Sequence, residues 1–249
     1  MKRIIYRYFP LWMLFGITLS CSKGSKLKGV ASLTIVNAVA DSEPSLIPNF
    51  SGTDPLTWYI NGYKLGYGAT MLTGSYSGKL KLGIYHYPDT SVHTIPLYNL
   101  SLDIPVGTVH TLFLSGTINS PDTLFTMDIL PYHPPSDSSV GIRFVNLSKG
   151  STPVSVNIAG AAQGSEVSSL PYKGITAFTN YSATAAVSDY TFEFRDASSG
   201  TLIGAYNLNG VNDTFSNTRR FRDLTIALLG IRDDPATQKI ILIEAYTPY

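Results

Sequence analysis

Cysteine is nearly absent from this chain: its 249 residues contain one, Cys21. A secreted fold held by disulfides needs cysteines in pairs, and a cysteine-based zinc site needs partners, so both are excluded. Charge is scarce as well. Charged residues make up 14% of the chain and the formal net charge is +1, with no long run of either sign. Binding to a phosphate backbone needs a basic stripe, so a general nucleic-acid binder is excluded. No apolar run reaches the roughly 20 residues that a membrane-spanning helix needs. The longest, Phe9 to Leu19, is broken by Pro10, Gly16 and Thr18. No segment keeps a helical period for long.

Catalytic motifs are missing too. His86, His93, His110 and His133 are the histidines, and none sits in an H-E-x-x-H spacing. His86 and His93 flank Tyr87-Pro88-Asp89, which reads as a hairpin turn. Gly74-Ser75-Tyr76-Ser77-Gly78 has its serines in the wrong places for a G-x-S-x-G elbow, and no helix follows it. There is no phosphate-binding glycine loop. Asp103, Asp128, Glu193 and Glu244 fall on different strands, which does not suit a paired-carboxylate glycosidase. Asp233-Asp234 reads as a turn. The expectation is a non-enzyme with no catalytic residue, no metal and no cofactor.

What is present is apolar and turn-rich. Hydrophobic residues make up 44% of the chain, with 16 Tyr, 15 Pro and 21 Gly. That composition suits strands separated by turns.

The N-terminus has an address. Lys2, Arg3 and Arg7 precede the apolar stretch, in the order of a secretory signal. Thr18-Leu19-Ser20-Cys21 resembles the lipobox of bacterial lipoproteins, although Leu19 stands one place later than usual. The resemblance implies a signal peptide over 1–20 and acylation of Cys21, which would anchor the protein to a membrane. An ordinary secretory signal with an incidental cysteine is the alternative. Residues 21–29 read as a tether with three lysines. Surface-exported lipoproteins of Bacteroidetes tend to carry acidic residues there, so the resemblance implies an outer-membrane protein facing the periplasm, with surface exposure as the alternative.

The remainder reads as two copies of one plan. Leu33-Thr34-Ile35-Val36-Asn37 matches Ile142-Arg143-Phe144-Val145-Asn146, each alternating like a half-buried strand and ending at a turn-forming Asn. Pro55 to Gly62 is set against Pro153 to Gly160, with Asp41 to Asp54 as an inserted loop in the first copy. Leu80, Leu82 and Ile84 answer to Tyr190, Phe192 and Phe194. Tyr98-Asn99-Leu100 matches Tyr206-Asn207-Leu208, and Thr111 to Gly116 matches Thr225 to Gly230. Each copy ends in a further strand, Leu124 to Leu130 and Lys239 to Tyr246. Pro131 to Ser139 reads as a semi-stiff linker. The expected fold is all-β: two tandem β-sandwich domains of immunoglobulin or transthyretin type, over 30–130 and 140–249, joined by the 131–139 linker. Val167 to Val187 reads as either a short helix or a long loop.

The Arg-Phe-Val-Asn strand, the Pro-led Val-x-Val-x-Ile strand closed by Gly160, and the late Thr-Leu or Thr-Ile strand closed by glycine resemble the bacterial domain-of-unknown-function family numbered 4397. The resemblance implies extracytoplasmic, often lipid-anchored, tandem domains, and it brings no catalytic residues.

Ligand candidates are few. Tyr59 and Tyr63 lie opposite the Leu56, Trp58 and Ile60 face, where exposed rings stack on sugars or on a protein. Arg219, Arg220 and Arg222 surround Phe221 and form the strongest local positive charge, suited to an anionic glycan or a lipid headgroup. The leading expectation is a membrane-anchored binding or structural module of the cell envelope, with a glycan or envelope protein as partner. A fimbrial or adhesin subunit and a carbohydrate-binding accessory of an uptake system are the rivals.

Overall fold

A computed structural model describes residues 29–50, 52, 63–89, 94–134, 136–214 and 219–245. Among them the regular structure is β throughout, in fifteen strands. Cys21, Trp58, Tyr59 and His93 lie outside the described residues, as does the expected strand from Pro55 to Gly62.

The first half contains β1 (Val30–Asn37), β2 (Ser45–Asn49), β3 (Thr70–Tyr76), β4 (Gly78–Tyr87), β5 (Tyr98–Ile104), β6 (Val109–Thr117) and β7 (Ser120–Met127). They form two sheets, β3-β1-β6-β7 and β2-β4-β5. Leu33, Ile35, Leu82, Ile84 and Leu112 fill the space between them. The second half contains β8 (Ser139–Lys149), β9 (Val154–Ile158), β10 (Val167–Leu170), β11 (Thr179–Ser182), β12 (Asp189–Asp196), β13 (Leu202–Asn209), β14 (Asp223–Ile231) and β15 (Lys239–Ala245). Its sheets are β11-β8-β14-β15 and β10-β9-β12-β13. Phe144 meets Phe192 and Phe194 edge-on in its core, at 5.1 and 6.1 Å between ring centres. Each half is thus a β-sandwich with one connectivity. In both, the first strand runs parallel to the strand that opens the last hairpin, β1 to β6 and β8 to β14.

Two expectations are corrected. The counterpart of β9 is β2, because β2 pairs with β4 as β9 pairs with β12. The segment read as an inserted loop therefore carries the matching strand. Val167 to Val187 holds neither a helix nor one long loop. It supplies β10 and β11, each four residues long and each an edge strand.

A third finding concerns the strands read as half-buried. On β1, β6, β8 and β14 both faces are covered. The odd-numbered residues of β1 and the even-numbered residues of β8 face their own sandwich cores. The other faces meet each other. Val36, Ala38 and Phe113 pack against Val145, Leu147, Ala227, Leu229 and Ile243 in one apolar cluster. The molecule is a stack of four sheets whose two inner sheets are back to back. Burying a side chain such as Phe113 there contributes about 1.5–3 kcal/mol.

Matching positions also do matching work. Asn37 donates from Nδ2 to Ser42 Oγ and to Leu65 O, both at 2.9 Å, and its Oδ1 accepts from Val39 N at 3.0 Å. Asn146 donates to Ser151 Oγ at 3.0 Å and Leu170 O at 3.1 Å, and accepts from Ser148 N at 3.0 Å. Each asparagine ties its strand to a neighbouring loop through buried polar groups, Asn37 at the last residue of β1 and Asn146 three residues before the end of β8, so the expected strand end at Asn146 is corrected.

Candidate functional site

The seam between the inner sheets carries the most elaborate polar chemistry. Arg143 on β8 reaches across to Asp128, just beyond β7, with Nη1 2.7 Å from Oδ1 and both side chains buried. Its Nε donates to Thr225 Oγ1 at 2.8 Å. Asp128 also accepts from Thr111 at 2.5 Å and from Thr126 at 2.8 Å. A buried ion pair is tolerated when its remaining hydrogen-bonding capacity is met, and here it largely is. The Arg143 guanidinium lies over the Phe178 ring, 4.5 Å from its centre. Beside it opens a groove of about 400 Å³, lined by Met127, Ile129, Leu130, Pro131, Ile175 and Phe178 among others.

Further along the seam the two halves clamp each other reciprocally. Tyr67 donates its hydroxyl to Thr237 O at 2.5 Å. Lys239 donates to Tyr67 O at 2.7 Å and stands 3.9 Å over its ring. From the other side, the Tyr172 hydroxyl lies 3.3 Å from Ser115 Oγ, and Lys173 binds Asp122 at 2.8 Å. Burial first, then the charge of Asp234, pushes the Tyr67 phenol well above its ordinary pKa. Burial raises Tyr172 as well and lowers Lys239. The two tyrosines occupy the same place in their repeats, one residue before the group whose N–H binds the carbonyl of the matching asparagine. Gly68 N donates to Asn37 O and Lys173 N to Asn146 O, both at 2.7 Å. Sequence reading missed this pair. The faint signal was Leu65-x-Tyr67 against Leu170-x-Tyr172.

A second cluster joins the inter-repeat segment to the second sandwich. His133 Nε2 lies 3.1 Å from Asp223 Oδ1 and its Nδ1 lies 3.0 Å from Ser139 Oγ. Gly141 makes room for this, since a Cβ there would stand 2.0 Å from the Asp223 carboxylate. Serine, histidine and aspartate follow one another as in a hydrolytic triad. The Ser139 hydroxyl, however, donates to Asp137 at 2.7 Å, and the residue is buried. Its proton is already committed and its oxygen is covered, so the cluster is a fastening. Burial raises the Asp223 pKa, and the hydrogen bond and charge of His133 act against that rise.

The residues singled out from the sequence are scattered. Tyr63 is exposed and its hydroxyl donates to Thr70 O at 3.3 Å. The partner expected for it, Tyr59, lies outside the described residues, so no aromatic platform is brought together. Arg222 pairs with Glu244. Arg220 donates from Nη2 to Asn212 O at 3.4 Å, and Phe221 between them is exposed with a φ of 63°. His86 binds Glu43 O at 3.0 Å, and His110 stacks on Phe125 at 4.9 Å. Glu193, another of the spread-out carboxylates, binds Asn157 and Arg195, which lower its pKa in that order. Asp128, weighed as a spread-out carboxylate, is the buried partner of Arg143. Asp233 and Asp234 do form the β14–β15 turn.

No family model and no curated protein matches the chain. Two solved structures resemble it weakly. One shows alpha-glucan binding by a streptococcal virulence factor. It is 12% identical, covers 84% of this chain and 95% of its own, and has a TM-score of 0.27. The other is a family CBM26 module of Eubacterium rectale Amy13K in complex with maltoheptaose. It is 13% identical, covers 87% of this chain and 98% of its own, and has a TM-score of 0.27. At such TM-scores neither likeness carries an argument about ligands.

Proposed function

We propose that the chain is a lipid-anchored, non-enzymatic module of the bacterial cell envelope, a stiff pair of sandwiches that binds or braces another envelope component. The observation that supports this reading is the seam. Buried Arg143 and Asp128, the Tyr67 and Tyr172 clamps and the shared apolar cluster join the two sandwiches along one packed seam. Sandwiches joined in this way present their outer surfaces in a set relation to one another. Cys21 is the acylated residue in this reading, 21–29 the tether, and the outer membrane the anchoring surface, with the body on the periplasmic side. Membership of the 4397 family belongs to the same proposal, and the twin asparagine cages support its tandem plan.

The test has two arms. Labelled palmitate is fed to cells making the wild type and Cys21→Ala, and label is expected in the first alone. The purified protein is then screened on a glycan array and against envelope proteins. Retention of one partner class is expected. Turnover of a generic hydrolase substrate that disappears on changing one polar residue would overturn the non-enzymatic reading. A ladder of multimers in unboiled envelope would replace it with the fimbrial one.

A further inference from the structure

One end of the stack exposes an unusual number of large apolar side chains. Val30 opens β1, Val106 stands in the turn from β5 to β6, and Met127 closes β7. Ile129 and Tyr132 follow it, and Phe221 precedes β14. Their exposure rises from 40% at Phe221 through 65% at Val106 to 79% at Ile129 and 82% at Tyr132. Single exposed apolar residues are ordinary, but a group of them marks an interaction surface.

Hydrogen bonds and an ion pair bring the backbone segments that carry these six residues to the same end. Gly107 N donates to Val30 O at 2.9 Å, and Asp128 N to Val109 O at 2.8 Å. Arg143 links Asp128 to the start of β8. Phe221 N donates to Ser139 O and Gly141 N to Arg222 O, both at 2.8 Å. Phe221 holds a left-handed backbone, which a bulky residue adopts only at a cost in strain.

Three arginines, Arg219, Arg220 and Arg222, flank Phe221 at this end. The Nε atoms of Arg219 and Arg220 are buried without a hydrogen-bond partner among the described residues. Four carboxylates nearby are engaged, Glu244 with Arg222, Asp223 with His133, Asp137 with Ser139, and Asp128 with Arg143, and Asp213 stands next to Asn212, whose carbonyl Arg220 binds.

The tether leaves from the same end. Gly29 sits against Val106, and its carbonyl accepts from Ser77 N at 3.0 Å. Residues 22 to 29 span at most about 29 Å when fully extended. They carry Lys23, Lys26 and Lys28. An acyl chain on Cys21 would hold this end within that distance of the bilayer.

We infer that this end is a membrane-contact surface. Val106, Met127, Ile129, Tyr132 and Phe221 enter the headgroup region of a phospholipid bilayer, and the arginines beside Phe221 meet its phosphates. The position of the surface beside an anchor rests on the acylation reading. Its chemistry does not.

The experiment uses the full chain purified from cell envelopes and reconstituted into phosphatidylethanolamine–phosphatidylglycerol vesicles with brominated acyl chains, which quench nearby tryptophan. Ile129→Trp and Val106→Trp are compared with Leu202→Trp, which lies at the far end where β13 begins. After subtraction of the wild-type signal, quenching at the first two is expected to exceed that at Leu202→Trp at least twofold. Adding Arg219→Glu and Arg220→Glu should reduce quenching at Ile129→Trp in these anionic vesicles and leave it unchanged in neutral ones. Equal quenching at both ends in a palmitate-labelled protein would overturn the surface and leave the anchor standing. Selective quenching in a protein that takes up no palmitate would overturn the anchor and support the surface.

Discussion

Arg143 and Asp128 come from different repeats, meet at 2.7 Å and are both buried, so each supplies the opposite charge that replaces the other's lost water, with threonines filling the remaining bonds. Such a pair adds little to stability over a well-packed apolar pair, but breaking it leaves one charge stranded. Asp128→Ala should therefore lower the unfolding free energy by about 3–5 kcal/mol, read from urea denaturation. The double variant Asp128→Leu with Arg143→Met should recover most of that loss. A cost under about 1 kcal/mol for Asp128→Ala, the level of exposed pairs, would mean that water reaches the pair.

The twin asparagines offer an internal control. Asn37→Ala takes the acceptor from Val39 N and one donor from Leu65 O, which keeps Leu46 N, and Asn146→Ala takes the acceptor from Ser148 N and the donor from Leu170 O and the Ser151 hydroxyl. Each should cost about 1–3 kcal/mol, the penalty for buried groups left unpaired. Equal shifts in the urea midpoint are the expected result. A large loss from one and none from the other would show that the repeats are not equivalent here.

Gly68 and Lys173 hold one backbone conformation with different residues, at φ 77° and 62°. Gly68→Ala adds a Cβ 2.5 Å from the end of Lys239, besides the strained φ, and should destabilise by more than about 1 kcal/mol. Lys173→Gly relieves strain of about 1–2 kcal/mol. It gives up a partly exposed ion pair with Asp122 worth at most about 1 kcal/mol. Its melting temperature should equal or slightly exceed that of the wild type. A marked fall would show that the ion pair carries more than its exposure suggests.

Acid should weaken the β12–β13 hairpin. Asp196 accepts from Ser198, Thr152 and the backbone of Ser199, which hold its carboxyl well below the usual range. A depressed carboxylate contributes stability above its unfolded pKa of about 3.9 and loses it as the pH falls towards the folded value. Wild type and Asp196→Asn should therefore differ most near neutrality, begin to approach each other only below about pH 4 and keep approaching as the pH falls further. Asp223 acts with the opposite sign: its raised pKa favours the folded state at low pH, and that share is lost as the pH rises. Urea midpoints from pH 7 down to about pH 1.5 report the balance, and parallel profiles would remove Asp196 from the account.

Alternation made the sandwich cores legible, because Leu33, Ile35, Phe192 and Phe194 point one way and polar residues the other. It hid the seam for the same reason. On β1, β6, β8 and β14 the second face carries Ser32, Thr34, Thr111, Arg143 and Thr225, which look solvated until a second sheet covers them. Only Val36, Phe113, Val145, Leu147 and Leu229 betrayed it. Strand β2 escaped notice because Pro48 interrupts it, and proline is admitted on an edge strand such as this one. Strands β10 and β11 are too short for a period to register. Of the candidate contacts, the arginines beside Phe221 fall on a surface that other exposed residues extend. Tyr63 stands apart.

The seam is built from the same face on both repeats: Val36 answers to Val145, and Tyr67 to Tyr172. A face that is its own complement is used up once two copies meet, as in a dimer with twofold symmetry. Units of this kind do not stack into an open-ended filament through that face. They close in twos, so any longer assembly must grow through edges or ends that the pairing leaves untouched.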